Sequence, residues 1–217
     1  MTGDTRYDQV WARARATDRR SALLAPFASA RPTLVAGSTW PADEGPLGEA
    51  WVRVRAQVPG ARLVIAPHEV SAEHLASVER WAASAGIPLA RLDAAGALDA
   101  DVILVDRIGV LGDLYALATA AYVGGGFHAA GLHSVLEPAA FGAPVLFGPR
   151  YAKSRDARLL LACGGGATAA NVEQLEAHLV SWLSTKAAES AGSAARELVR
   201  SGLGASERSA EMVLGML

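Results

Sequence analysis

Cysteine is nearly absent from this chain: Cys163 is the single one among 217 residues. One thiol builds neither a disulfide framework nor a cysteine-based metal cluster, and a reducing compartment suits it. Neither sign of charge dominates. Twenty Lys and Arg against 22 Asp and Glu leave a formal net charge of −2, which offers no electrostatic reason to expect nucleic acid or an anionic membrane surface as a partner. No apolar run reaches the ~18 residues that a membrane-spanning helix needs. The polar opening, Met1 to Arg20, is no signal peptide.

Several signature motifs are missing too. There is no G-x-x-x-x-G-K-[ST], so no P-loop ATPase is expected. The glycines at 124–126 do not make G-x-G-x-x-G/A, and no acidic residue follows in the next strand, which argues against a dinucleotide-binding dehydrogenase. No G-x-S-x-G elbow occurs. His128 and His133 have no second carboxylate or cysteine at metal-ligand spacing, so no metal site is expected, nor is any cofactor.

What remains is an ordinary globular composition, 51% hydrophobic and 19% charged, long enough for one good-sized core. The pattern along the chain is β-α repeated. Asp4 to Arg20 predicts an amphipathic helix with Tyr7, Val10, Trp11 and Ala14 on one face. Apolar runs at 33–36, 62–66, 101–105, 120–123 and 144–147 predict strands, and 166–168 a short one. Helices are expected at about 42–57, 71–85, 111–118 and 153–162, with three helical stretches from 172 to the end and Asn171 as an N-cap. Near-continuous apolar strands alternating with helices predict an α/β fold, a parallel sheet with helices on both faces. One domain, 1–217, is the simplest count.

Ligands in such sheets bind beyond the carboxyl ends of the strands. Four predicted strand ends carry small or polar residues: Gly37-Ser38-Thr39, Pro67-His68-Glu69, Asp106-Arg107-Ile108-Gly109 and Gly124-Gly125-Gly126. Each alone is explained by ordinary turn chemistry; four on one edge favour a cleft. The stretch Gly124 to Pro149 is the most informative, because strand, glycine turn and helix N-terminus together make an anion site. Glu137 within it suits a sugar hydroxyl rather than a phosphate, so a nucleotide is the candidate ligand. Ser134 and Glu137 also match a capping box, while Pro138 at a first helical position would free the Glu137 side chain. Sequence alone leaves these two readings about even. Lys153 and Arg155 are either a solvated helix start or a phosphate counter-charge.

Those residues resemble a known family. Leu34 to Thr39, Ile65 to Glu69, Tyr122 to Phe127, His133 to Ala139 and Phe147-Gly148-Pro149 are similar to the carboxyl-terminal half of bacterial 3-deoxy-D-manno-octulosonic acid (Kdo) transferases. The resemblance runs from about residue 2, where Thr2 to Asp8 is similar to the segment after the family's interdomain crossover, to the end. It implies one Rossmann-like half of a GT-B glycosyltransferase: N-terminal helices at 1–31, an α/β core at 32–170 and C-terminal helices at 171–217. It further implies CMP-Kdo or CMP as ligand, with Gly37, Ser38, Gly125, Gly126, His133 and Ser134 around the phosphate, Glu137 on the ribose and His68 near the nucleotide. Lys153 and Arg155 are added as further phosphate contacts.

The chain departs from the family pattern at three places. His68-Glu69 stands for a common Arg-His pair, Ser134 for an asparagine, and Thr119 for an aspartate. By the same resemblance, the general base and the site for the lipid A precursor acceptor belong to an amino-terminal half outside these 217 residues. The expectation is a soluble donor-binding piece, inactive alone, of an enzyme at the cytoplasmic side of the inner membrane. The rival readings are the donor half of a GT-B enzyme using a UDP-sugar, and a non-catalytic domain that binds a nucleotide or a partner protein.

Overall fold

The computed structural model describes residues 3–215. Met1, Thr2, Met216 and Leu217, the outermost residues of the expected terminal segments, lie outside them. Among the described residues seven strands form one sheet: β1 (Thr33–Thr39), β2 (Arg62–Pro67), β3 (Leu89–Arg91), β4 (Val102–Leu104), β5 (Ala120–Val123), β6 (Val145–Phe147) and β7 (Gly166–Thr168). Their order is β3-β4-β2-β1-β5-β6-β7, and every pairing is parallel. The helices are α1 (Arg6–Ala16), α2 (Pro41–Gln57), α3 (Ala72–Ser84), α4 (Leu111–Leu114), α5 (Leu136–Ala140), α6 (Arg155–Cys163), α7 (Val172–Ser184), α8 (Ala187–Ser201) and α9 (Ala205–Leu214).

The strands read as unbroken apolar runs because both faces of the sheet are covered. Alternate residues go to opposite faces. Leu34 and Ala36 of β1, Leu63 and Ile65 of β2 and Tyr122 of β5 pack with Leu47, Trp51 and Val54 of α2, Leu75 and Val78 of α3, and Leu175 and Leu179 of α7. Val35, Val64, Ile103 and Ala121 face the other way, onto Leu24, Phe27, Leu114 and Tyr115. Val123, Val145 and Phe147 extend that side toward Tyr7 and helices α5, α6 and α8. Fully burying a Leu, Ile or Phe side chain stabilises by roughly 1.5–3 kcal/mol, so these two layers fix the sheet between them.

The predicted strands and long helices are present, with three adjustments. Strand β3 has no counterpart in the sequence reading. It is a three-residue edge strand with partly exposed side chains, too short for an alternation to register. The first helix ends at Ala16 rather than Arg20, where Thr17 leaves helical geometry and its hydroxyl bonds the Arg13 carbonyl and Asp113 (3.0 and 3.1 Å). The helix predicted over 111–118 divides into α4 and a 3₁₀ turn, Tyr115–Leu117.

Strand β1 is central. The chain first builds outward on its β2 side, then returns to add β5 on the other side. The gap between β1 and β5 is therefore the switch point, where an open parallel sheet forms its crevice. The two strand ends meet closely. The Gly124 N–H donates to the Gly37 carbonyl (2.9 Å), and a Cβ on Gly124 would sit 2.1 Å from the Ser38 carbonyl oxygen. That neighbour is backbone and has nowhere to move. Gly124→Ala is expected to destabilise by at least ~2 kcal/mol, in the upper range for overpacking, measured by denaturant unfolding; wild-type stability would show that the strand ends separate freely.

Candidate functional site at the crossing of strands β1 and β5

Strand β1 does not end cleanly. Its register with β2 shifts between Gly37 and Thr39, and Ser38 has φ +53°. This left-handed conformation costs a non-glycine residue roughly 1–2 kcal/mol. A bulge of this kind re-aims a side chain at a strand end. Here it lifts Ser38 out of the ladder beside the β5 terminus. Gly37, one residue earlier, packs against the Tyr115 hydroxyl so closely that a Cβ would lie 2.1 Å from it.

Immediately after the bulge, α2 begins. Pro41 occupies its first position, where a missing N–H costs nothing. Asp43 lies in the first turn and is completely buried. Its carboxylate accepts from the Trp40 N–H (3.0 Å), the Tyr122 hydroxyl (2.9 Å), the Gly125 N–H (2.8 Å) and the Phe127 N–H (3.1 Å). A carboxylate in the first turn of a helix also gains from the helix dipole. Burial and the adjacent Asp43 charge push the Tyr122 hydroxyl well above the usual phenol range, so it stays protonated and donates.

Asp43 thereby moors the glycine loop. The rest of the loop is tied by the His133 N–H to the Gly124 carbonyl (3.1 Å) and the Arg150 N–H to the Gly126 carbonyl (2.9 Å). Gly125 has φ +93°, a conformation open to glycine at no steric cost.

Over this loop stands a group of rings. The Trp40 indole stacks on His68 and His128, with centroids 4.4 and 4.3 Å apart, and lies 6.4 Å from His133. His68 and His133 are 4.5 Å apart. The Trp40 Nε1–H donates to His133 Nε2 (3.1 Å). Burial holds the His133 imidazole below its ordinary value, with His68 and His128 adding to that effect and Asp43 opposing it. Beneath the rings, Glu44 of α2 accepts from the Thr39 hydroxyl (2.7 Å) and pairs with His74 Nε2 (2.9 Å).

Glu137 belongs to α5, and the capping box, one of the two readings left open, is not formed. The N-cap is Val135, with no side-chain cap. Pro138 takes the third helical position rather than the first, where its missing N–H is again one that no helix bonds. Glu137 is half-buried, and burial raises its carboxyl above the usual range, with Arg13 partly offsetting this. Arg13 is itself paired with Asp113 (3.4 Å). Burial, with the Glu137 charge adding to it, raises the Tyr115 hydroxyl that covers Gly37. The Glu137 carboxylate makes no hydrogen bond or ion pair among the described residues.

The structure thus brings Gly37, Ser38, His68, Gly125, Gly126 and His133 to the end of β1 and β5, with Ser134 exposed on the connection to α5. Lys153 and Arg155 make no hydrogen bond or ion pair with this group among the described residues. Lys153 is exposed in the turn before α6, and Arg155 borders a groove with Asp4, Tyr7, Leu198 and Arg208. The sequence reading missed Trp40 and Asp43 as site residues. The available signal was their place directly after Gly37-Ser38-Thr39, at a strand end already marked as special. Among the described residues no group of three or more His, Cys, Asp or Glu is arranged to hold a metal ion, and no helix is long and apolar enough to cross a membrane.

No protein-family model matches the chain. Curated proteins do. It is 32% identical over 154 residues to the 3-deoxy-D-manno-octulosonic acid transferase of Aquifex aeolicus, covering 70% of this chain and 42% of that one. It is 46% identical over 68 residues to the enzyme of the same name from Chlamydophila psittaci, covering 30% and 16%. The chain is a relative of the Kdo transferases. It spans less than half the length of these curated relatives. Among solved structures, the C-terminal CMP-Kdo binding domain of WaaA from Acinetobacter baumannii superposes with a TM-score of 0.71 at 20% identity, covering 89% of this chain and 99% of that one. The shared fold is the Rossmann-like half of a GT-B glycosyltransferase.

Two measurements test the geometry without ligand. Asp43→Asn turns an acceptor of four donors into a group with two N–H bonds facing them. Each stranded polar group costs ~1–3 kcal/mol, so a loss of at least ~3 kcal/mol by denaturant unfolding is expected; a loss below ~1 kcal/mol would mean that the loop is held otherwise. Glu137 gives a test by pH. A carboxyl raised in the folded state destabilises it above the folded value and not below the ordinary one, since the native state then holds the extra proton between them. Glu137→Gln should therefore melt higher than wild type at pH 7–8, the gap closing as pH falls toward about 4.5. A gap that widens on acidification would reverse the assignment.

Proposed function

We propose that this chain is the donor-binding half of a Kdo transferase, a single nucleotide-sugar-binding domain over residues 1–217 that holds CMP-Kdo at the crossing of β1 and β5. The donor phosphate rests against the Ser38 bulge and the Gly125-Gly126 loop, within reach of His68, His133 and Ser134. The ribose hydroxyls meet Glu137. In a full-length enzyme at the cytoplasmic side of the inner membrane, an acceptor hydroxyl on the lipid A precursor attacks the anomeric carbon, and CMP leaves with its phosphate on this loop. Acceptor and general base belong to the other half.

One observation carries the reading: a half-buried Glu137 carboxylate with no hydrogen bond or ion pair among the described residues, in the helix that follows the glycine turn. The strand end, glycine turn and helix start between β5 and α5 together suit an anion. A carboxylate with lone pairs to spare suits vicinal hydroxyls, and its raised proton affinity makes it a good acceptor. A nucleotide offers both groups in one molecule.

Calorimetric titration of the chain with CMP, UMP and UDP decides the base. CMP is expected to bind most tightly; preference for a uridine nucleotide would replace the Kdo assignment with a UDP-sugar enzyme, and no binding of any would favour a non-catalytic domain. Glu137→Ala should weaken CMP by more than about tenfold, since a lost polar contact that strands its partner is worth ~1–3 kcal/mol. Because Glu137 caps no helix, its melting temperature should not fall. Unchanged affinity would move the ribose elsewhere.

A further inference from the structure

An indole N–H can only donate a hydrogen bond. The 3.1 Å contact from Trp40 Nε1 to His133 Nε2 therefore requires Nε2 to be the unprotonated nitrogen. The one proton of the neutral imidazole is left on Nδ1. His133 Nδ1 has no hydrogen-bond partner among the described residues, although the ring is anchored on both sides, by Trp40 through Nε2 and by its own backbone N–H on the Gly124 carbonyl (3.1 Å). The result is a neutral N–H donor, its ring held by Trp40, on a residue tied to the glycine loop.

We infer that Trp40 is a positioning residue: its indole N–H fixes His133 in the Nδ1–H tautomer, so that Nδ1–H donates to the nucleotide phosphate. This rests on the nucleotide reading above and adds to it the residue that sets the donor's state. A protonated His133 would carry N–H on both nitrogens and face the Trp40 donor with another donor. Trp40 thus disfavours the imidazolium as well as the wrong tautomer. The charged and titratable groups around the ring act together with it: His68 and His128 oppose protonation, while Asp43 favours it from below. The arrangement resembles the use of a hydrogen-bond partner on one ring nitrogen to decide what the other nitrogen does.

The test is a ¹⁵N spectrum of histidine-labelled full chain, which separates Nδ1–H, Nε2–H and imidazolium forms by their nitrogen shifts, with His133→Ala as the assignment control. Wild-type His133 is expected as Nδ1–H. Trp40→Phe keeps a stacking ring but removes the donor; His133 should then shift toward Nε2–H, and CMP affinity should fall by about three- to tenfold, the size of one net hydrogen bond. In a His133→Ala background, Trp40→Phe should have no further effect on affinity, because Trp40 acts through His133.

The outcomes separate the two readings. If wild type does not bind CMP, the nucleotide reading fails and takes the ligand of this proposal with it, whatever the spectrum shows. If CMP binds but wild-type His133 is Nε2–H, the tautomer assignment is overturned. If Trp40→Phe leaves spectrum and affinity unchanged, or still weakens CMP without His133, Trp40 is not the positioning group. Matching thermal melts of the variants exclude misfolding as the cause.

Discussion

A single buried carboxylate, Asp43, ties together the elements on which the site depends. It reaches the cap of α2 through Trp40, the body of β5 through Tyr122, and the glycine loop through Gly125 and Phe127. Burying a charge without a cation is expensive unless several donors replace its water. Four donors and the N-terminal dipole of α2 supply that replacement. The consequence is geometric. The loop after β5 cannot shift relative to the first turn of α2 without stranding donors on both sides. The bulge at Ser38, the ring of Trp40 and the glycine loop therefore move as one unit.

That unit has two chemically distinct ends. Around the loop are a strained serine and imidazoles, and among the described residues no hydrogen bond or ion pair joins a Lys or Arg side chain to it. Toward α5 stands Glu137, partly desolvated and without a hydrogen bond or ion pair among the described residues. In the free protein this carboxylate is a liability, since burial penalises its charge without a compensating bond. A carboxylate kept in that condition is a feature that folding alone does not explain. The polarity across the crevice, donors at one end and an acceptor at the other, is what a phosphate joined to a ribose would complement.

The sheet was legible in the sequence because parallel strands covered on both faces become apolar runs bounded by glycine, proline and polar turns. Runs such as Leu34-Val35-Ala36 and Ala120 to Val123 carry that signature; the three residues of β3 do not. The glycines and Ser38 were legible for a different reason: strand ends in such sheets face ligands, whatever the ligand is. The roles of Trp40 and Asp43 were not, because their partners lie 79–93 residues away in sequence and local reading sees only a helix start. Ser134 and Glu137 show the converse failure. Their spacing is that of a capping box, yet α5 starts one residue later, at Leu136, so the pattern is present and the bond is not. Lys153 and Arg155 lie near the end of β6 in sequence, but Arg155 turns toward Asp4 and α8 instead.

The charge balance of the chain has a further physical meaning. A chain of net charge −2 does not attract an anionic ligand from a distance, and long-range steering by fixed charge is the usual source of fast capture. On the proposed reading, recognition is left to short-range groups: backbone N–H groups, an imidazole whose donor face is set by Trp40, and a carboxylate that accepts hydroxyls. Such groups discriminate by direction as much as by charge, because a misplaced donor or acceptor leaves a partly buried group unpaired. The same dependence explains why the mooring must be rigid. A site built on lysines tolerates a loop that drifts, since a point charge on a flexible stem follows its ligand. A site built on backbone and ring donors does not, and the four hydrogen bonds to Asp43 hold the glycine loop against the first turn of α2.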